Sequence, residues 1–448
     1  MQQTIRKVLL AVILTAGIMF STERAPAAEL FGMREFRLDN GLQVIVIPNH
    51  KAPIIKQMVW YKVGGVDEDP GKGGIAHLLE HLMFRGTKKV KDSRFNEIIS
   101  DNGGDSNAFT AQDYTSYHEA VDISKLELAM FLEADRMQNL KLTQEVFEKE
   151  RGIVFQERKQ VVENNPASYF GEAMRRTLWQ EHPYSRPVTG MPEEIMKLRL
   201  ADAQDFYDRY YAPNNAVLVL AGDIDVETAR QLAEKYFGPV PAGKKIPQTA
   251  FPKLDKHFKG RLEIALPMIE SPRVVKMYAA PSYNTNKSAI YPLSVLAQYL
   301  GEGETSKLYK KLVLEKKAAL AVSASYDFAA RSYGSFIISA LPAEGVDPDD
   351  FERMLEEAVA ESVREIGRDG IEDTKGKMLA GQVYLRDNPN DAAYVAGAMS
   401  SIGMSVRDIE NQAEYIKAVS YRQVAEAADA LFSSAPSLTG ILKPEEKK

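Results

Sequence analysis

GGIAHLLEHLMFRGT, residues 73–87, sets two histidines four positions apart inside an apolar run of helical period. Positions i and i+4 of a helix lie one turn apart on the same face. His77 and His81 are therefore predicted to point the same way, with Glu80 beside them. Two imidazoles at that spacing reach a single tetrahedral Zn²⁺. Glu80 then reaches a water at the metal without being a ligand. A lone histidine on a helix is more often structural than metal-binding. The full five-residue pattern, in a chain of only 6 histidines, favours the metal.

Two nitrogens leave zinc in need of a third protein ligand and one open position. The stretch EKERGIVFQER, residues 148–158, lies on the next strongly helical segment, and Glu145, Glu148, Glu150 and Glu157 are the candidates there. Glu150 and Glu157 are two turns apart and share a face, so one can bind the metal and the other support it. A solvated acidic face would show the same spacing, which leaves the choice open. The order His-x-x-Glu-His itself is the inverzincin signature of metal-dependent hydrolysis.

The rest of the chain bounds the possibilities. Its 448 residues suffice for two or three domains with real cores. With 56 basic and 62 acidic residues well mixed, a net charge of −6 argues against a nucleic-acid footprint. There is no cysteine, so any transition metal must be held by His, Asp or Glu. Arg6 and Lys7, the apolar run from Val8 to Phe20 and Ala25-Pro26-Ala27 have the three-part layout of a secretory signal peptide over residues 1–28. That run is shorter than the roughly 20 residues a spanning helix needs. A mature protein beginning near Ala28 or Glu29 and exported to a bacterial periplasm is expected, with a retained leader acting as membrane anchor as the alternative.

Asn40-Gly41 between two β-like runs signals a hairpin. Residues 54–63 and 106–121 read as strands, 125–140 and 144–162 as helices, and 216–221 and 226–236 as a strand followed by a helix. The proline-rich stretch around 238–259 breaks the periodicity and reads as a linker. Beyond it the order of strand, two helices, paired strands and long helix begins again. Two α+β domains of similar size and the same topology follow, at 29–240 and 260–448, joined by a linker at 241–259.

At this point the sequence resembles the pitrilysin-type (M16) metallopeptidases across nearly the whole mature chain. Beyond HLLEH the resemblance rests on GGDSNAFTAQDYTSY at 103–117, ERGIVFQE at 150–157, HPYSRPVTG at 182–190 and YYAPNNAVLVLAGD at 210–223. It implies two homologous α/β-roll domains, only the first with a metal site, and one Zn²⁺ per chain. It assigns the third ligand to Glu157, which follows His81 by 76 positions (157 − 81), and a supporting catalytic role to Glu150. Asn107, Ala108, Phe109 and Thr110 resemble the family's substrate-docking edge strand, where a peptide backbone adds by β-augmentation. Zinc held by two neutral imidazoles and one carboxylate keeps net positive charge and acidifies water, with Glu80 placed to take the proton.

One family feature is missing. The resemblance leads to an Arg and a Tyr seven positions apart in the second domain, and Leu314 and Ala321 stand there instead. Arg331 and Tyr333 lie on the next strand and do not fit the spacing. The family closes two such chains like a clamshell. The gap therefore implies a heterodimer with a zinc-free homologue carrying the Arg–Tyr pair, a homodimer being the alternative. The expected activity is endopeptidase cleavage of unfolded peptides, and a non-catalytic assembly subunit is the rival reading.

Overall fold

A computed structural model describes residues 29–91, 94–244 and 246–445, so the leader reading lies outside the described residues. In chain order the strands are β1 (Arg34–Arg37), β2 (Gln43–Pro48), β3 (Ile54–Tyr61), β4 (Asp105–Thr110), β5 (Thr115–Asp122), β6 (Ala216–Gly222), β7 (Lys259–Leu266), β8 (Arg273–Ala280), β9 (Ala319–Asp327), β10 (Gly334–Pro342) and β11 (Ser437–Pro444). They form two sheets, ordered β1-β2-β6-β3-β5-β4 and β7-β11-β8-β10-β9.

The two halves repeat one strand topology, with β7 and β11, which the sequence reading did not include, completing the second sheet. In the first sheet β2 and β6 run parallel and every later neighbour is antiparallel, and β7 and β11 open the second sheet the same way. β1 is an extra edge strand, paired with β2 across the Asn40-Gly41 turn as the hairpin signal predicts. The protein is α+β, with a six-stranded and a five-stranded sheet of matching topology.

Both faces of each sheet are covered. On the first, Val44, Val46, Val59, Leu218 and Leu220 pack under helices of the same half. Ile45, Ile47, Trp60, Val217 and Val219 turn the other way and meet Ala392, Ala393 and Ala396 of the Pro389–Ser401 helix. Burial on both faces is why β6 reads AVLVLAG without alternation. The second sheet is finished reciprocally. Leu438, Leu442 and Ala279 pack against Phe170, Met174, Leu178 and Trp179 of the Pro166–Trp179 helix from the first half. Each contact is close enough to demand glycine. A Cβ on Gly397 would sit 2.0 Å from the Trp60 indole nitrogen, and one on Gly440 would sit 2.0 Å from the Met174 sulfur.

Three local readings are corrected. Residues 106–121 are a hairpin, β4 and β5, with Ala111 N–H donating to the Tyr114 carbonyl across the turn (2.8 Å). The helical reading of 144–162 covers an α-helix, Gln144–Arg158, that widens into a π-turn over Lys159–Glu163. The second of the two helices read beyond the linker, at 307–315, is likewise π-helical over Tyr309–Glu315. Among the described residues no helix is long and apolar enough to cross a membrane.

The Trp60–Gly397 contact yields a stability test. Gly397→Ala is expected to lower unfolding stability by about 1–3 kcal/mol through overpacking. Gly376→Ala, on an exposed helical face with nothing near its Cβ, is expected to be neutral or to gain up to about 1 kcal/mol from helix propensity. Urea unfolding of the two variants beside the parent distinguishes a tight interface from a general intolerance of alanine.

Candidate metal centre

The motif helix spans Ile75–Leu82 and buries every residue except His81, which is half-buried. Its amino end is held unusually. Gly74 sits at the N-cap with φ 87°, and no side chain of its own can cap the helix. The buried Glu68 carboxylate does so instead, accepting from the N–H groups of Gly74 and Ala76 at 3.0 Å. Burial pushes the Glu68 carboxyl up to about 8, although both N–H donors pull it back. Arg186, within the HPYSRPVTG stretch, donates to the Glu68 carbonyl (2.6 Å). Gly190 closes that stretch against the Gly73 carbonyl, leaving no room for a Cβ. Local sequence shows no cap signal here, and Glu68 escapes a reading based on the motif alone.

One turn of helix stacks the two imidazoles, with ring centroids 4.8 Å apart and planes at 82°. The Gln144–Arg158 helix crosses this face and delivers Glu157. Its oxygens lie 3.8 Å from His77 Nε2 and 3.2 Å from His81 Nε2. One ligand atom from each of the three residues falls within 4.8 Å of the others. Four ligands at zinc's usual bond lengths stand about 3.4 Å apart at the corners of a tetrahedron. The observed separations of 3.2 and 3.8 Å bracket that spacing, so the donor set fits zinc in both chemistry and size.

Glu150 occupies a different position. It is 1% exposed, pairs with Arg85 Nε at 3.0 Å and stands 3.7 Å from His81 Nδ1, the ring nitrogen turned away from Glu157. Such a carboxylate behind a ligand histidine fixes ring orientation and tautomer. Burial, with His81 adding to it, pushes the His77 imidazole down to about 4. Burial also acts to lower His81, but Glu150 and Glu157 outweigh it and carry that imidazole upward.

Glu80 is 9% exposed and accepts a hydrogen bond from the Thr110 hydroxyl (2.6 Å). Burial raises its carboxyl, opposed by that hydroxyl. Thr110 ends β4, and β4 is an outer strand of its sheet. Alternation divides the four edge residues. Ala108 packs on the motif-helix side, while Phe109 turns to the opposite face, 5.4 Å from Trp60 and 5.7 Å from Tyr394. Asn107 is exposed and accepts from the Ala108 N–H (2.8 Å).

The second half carries no comparable chemistry at the sought positions. Leu314 is 55% exposed at the end of the π-helical turn, and Ala321 is exposed on β9, the outer strand of the second sheet. Arg331 is committed elsewhere, clasping Asp67 of the first half at 2.8 and 3.0 Å.

Comparison with known proteins gives the family. The family model for "Insulinase (Peptidase family M16)" matches residues 43–191, and that for "Peptidase M16 inactive domain" matches 197–375. The zinc protease PqqE of Helicobacter pylori is 28% identical over 415 residues, 91% of this chain and 92% of that protein. The uncharacterized zinc protease YmxG of Bacillus subtilis is 22% identical across 90% of this chain and 96% of its own length. A crystal structure of a protease from Helicobacter pylori superposes with a TM-score of 0.85 at 26% identity, covering 92% of this chain and 99% of that one. The first half of the periplasmic protease PqqL from Escherichia coli shares the fold, with a TM-score of 0.80 at 19% identity over 94% of each chain. Two matched halves in the right order, with relatives named zinc proteases aligning almost end to end, mean that this chain belongs to peptidase family M16, the pitrilysin or insulinase type.

Proposed function

We propose that this chain is the metal-bearing subunit of a zinc endopeptidase that cuts extended, unfolded peptides, with Glu80 as general base. The observation that carries this reading is the meeting of His77 Nε2, His81 Nε2 and Glu157 beside a glutamate hydrogen-bonded to an outer strand. A bound Zn²⁺ supplies Lewis acidity to the scissile carbonyl and to the attacking water. Glu80 takes the proton from that water and returns it to the leaving amine. A peptide laid along Asn107, Ala108, Phe109 and Thr110 gains main-chain hydrogen bonds only if it is extended, which selects against folded substrates. Glu150, anchored by Arg85, holds His81 in its ligating orientation.

The chain supplies only part of a site. Where the family offers an Arg–Tyr pair to the substrate carbonyl, Leu314 and Ala321 present apolar surface. A zinc-free M16 homologue carrying that pair would complete the site as the other member of a heterodimer. The homodimer and the purely structural subunit are the rival readings. The leader-like residues 1–28 and the periplasmic description of PqqL both support a periplasmic location.

Purified mature protein is expected to hold ~1 zinc per chain, and Glu80→Gln should hold the same amount. His77→Ala or His81→Ala should lose the metal. With activity present, Glu80→Gln should drop kcat/KM by at least about 10²-fold. Metal analysis that finds no zinc in the parent protein would sink the proposal outright. Glu150→Gln is expected to weaken zinc affinity or activity by about 10–100-fold, read by competition with a chelator. The isolated chain should cleave peptides poorly, and adding the Arg–Tyr-bearing homologue should restore turnover. Vigorous cleavage by the isolated chain would overturn the heterodimer.

A further inference from the structure

The turn between β9 and β10, residues 328–333, seats the second half on the first through polar contacts. Arg331 Nη1 donates to both carboxylate oxygens of Asp67 (3.0 and 2.8 Å), and its N–H donates to Asp113 Oδ2 (3.1 Å). The Ser332 N–H donates to the Tyr184 hydroxyl (3.0 Å). The side chains of the ion pair are 2% exposed for Asp67 and 16% for Arg331, so salt screens the pair little.

Each first-half partner leads on to the metal centre by bonds already in place. Asp67 is followed by Glu68, whose carboxylate holds the N–H groups of Gly74 and Ala76 at the head of the motif helix. The Asp67 carboxylate also accepts from the Gly64 N–H (3.0 Å) and so closes the turn over 64–67. That turn is tied to the end of the β4–β5 hairpin. The Gly65 N–H donates to the Ala111 carbonyl (3.1 Å) and the Val66 N–H to the Gln112 carbonyl (3.0 Å). A Cβ on Gly64 would stand 2.3 Å from the Ala111 carbonyl oxygen, which shows how closely the two turns lie. Ala111 in turn follows Thr110, the partner of Glu80. Tyr184 belongs to the 182–190 stretch, whose Arg186 holds the Glu68 carbonyl and whose Gly190 abuts Gly73.

The Asp67 carboxylate is the common point. It answers Arg331 of the second half and fixes the turn from which Glu68 projects. Without Arg331 it keeps only neutral donors among the described residues, the Gly64 N–H and the Thr249 hydroxyl. Removing one partner of a buried pair leaves an uncompensated charge, which turns toward water or takes up a proton. Either change slackens the turn, and the helix beyond it has no side-chain cap of its own to compensate.

We propose that Arg331 is a positioning residue for the histidine pair, acting through Asp67 and Glu68 on the Ile75–Leu82 helix. Among the described residues it bonds to neither histidine. The second half then sets the rigidity of a centre to which it lends no ligand, and a shift of that half is felt at His77 and His81. This role deepens the zinc reading and rests on it for the metal, but the rigidity of the helix is measurable without metal.

The test uses the full mature chain, stripped with a chelator, and reads amide hydrogen exchange over residues 73–82. Arg331→Gln is expected to speed that exchange by about 2- to 30-fold, with the 226–236 helix unchanged as reference. Glu68→Ala should speed it at least as much, and the double variant should add nothing beyond Glu68→Ala alone. Arg331→Lys keeps the charge and should recover part of the protection; its partial loss is read instead if Arg331→Gln fails to fold. Gly397→Ala, which disturbs the other interface between the halves, should leave residues 73–82 at the parent rate. Zinc affinity, read by chelator competition, should fall in Arg331→Gln by a similar factor. Parent-like exchange or unchanged zinc affinity in Arg331→Gln would overturn the role, as would additive effects of the two substitutions. An equal loss of protection in Gly397→Ala would overturn it too, by showing general loosening. A parent chain that holds no zinc, but whose exchange over 73–82 still follows Arg331, removes the zinc reading and leaves the brace standing.

Discussion

Everything in this molecule rests on each sheet having two apolar faces and only one set of helices of its own to cover them. A sheet whose strands read Val-Ile-Val-Ile on both sides must be buried on both sides. The uncovered face of the first sheet is closed by the Pro389–Ser401 helix, which belongs to the far end of the chain. That of the second is closed by Pro166–Trp179, which belongs to the first half. The exchange makes the halves interdependent. Trp60 is fully buried only because a distant alanine-rich helix lies on it, and that helix approaches only because position 397 is glycine. The polar seam from Asp67 to Arg331, and from Asp113 and Tyr184 to the N–H groups of Arg331 and Ser332, then fixes the register of the two units.

This framework determines what the motif helix can do. It is short, and its amino end receives neither a capping side chain from Gly74 nor a preceding helix. Glu68 and the 182–190 stretch hold that end in place, while the Gln144–Arg158 helix braces the other side through Glu150 and Arg85. The open side of the histidine pair faces Glu157 and the end of β4. The proposed metal ligands, the proposed base and the edge strand thus come from three separate elements, all mounted on one sheet, so none of them depends on a loop for its position.

Much of this was legible in the residues. The repeat of strand and helix order, the Asn-Gly hairpin and the helices read at 125–140 and 226–236 follow from periodicity and turn chemistry, and the structure has them, the first as Leu126–Asn139. The 106–121 run misled because Gln112 and Asp113 interrupt it with no glycine or proline to mark the turn. The π-turns at 159–163 and 309–315 leave no periodic trace, since a single wide turn shifts the pattern by less than the scatter of apolar positions. The Pro389–Ser401 helix went unread because its apolar stripe is mostly alanine, a residue that announces helix without saying what it packs on. Glu68 and Arg331 were invisible for a different reason. Their partners lie 6 and 264 positions away, and only the fold makes them neighbours.

The choice between Glu150 and Glu157, left open by spacing alone, shows what geometry adds. Two helical turns put both carboxylates on one face, and neither propensity nor charge separates them. Their surroundings do. Glu150 is sealed in, its charge already answered by Arg85, and it approaches only the nitrogen of His81 that points away from the pair. Glu157 is partly exposed, has no cation competing for it among its ion pairs, and faces the Nε2 atoms of both histidines. A carboxylate already neutralised by arginine is a poor donor to a cation, and one without such a partner is a good one. The electrostatic contrast thus runs along one helix, with the arginine-paired glutamate behind a histidine and the other on the side where the proposed metal would bind.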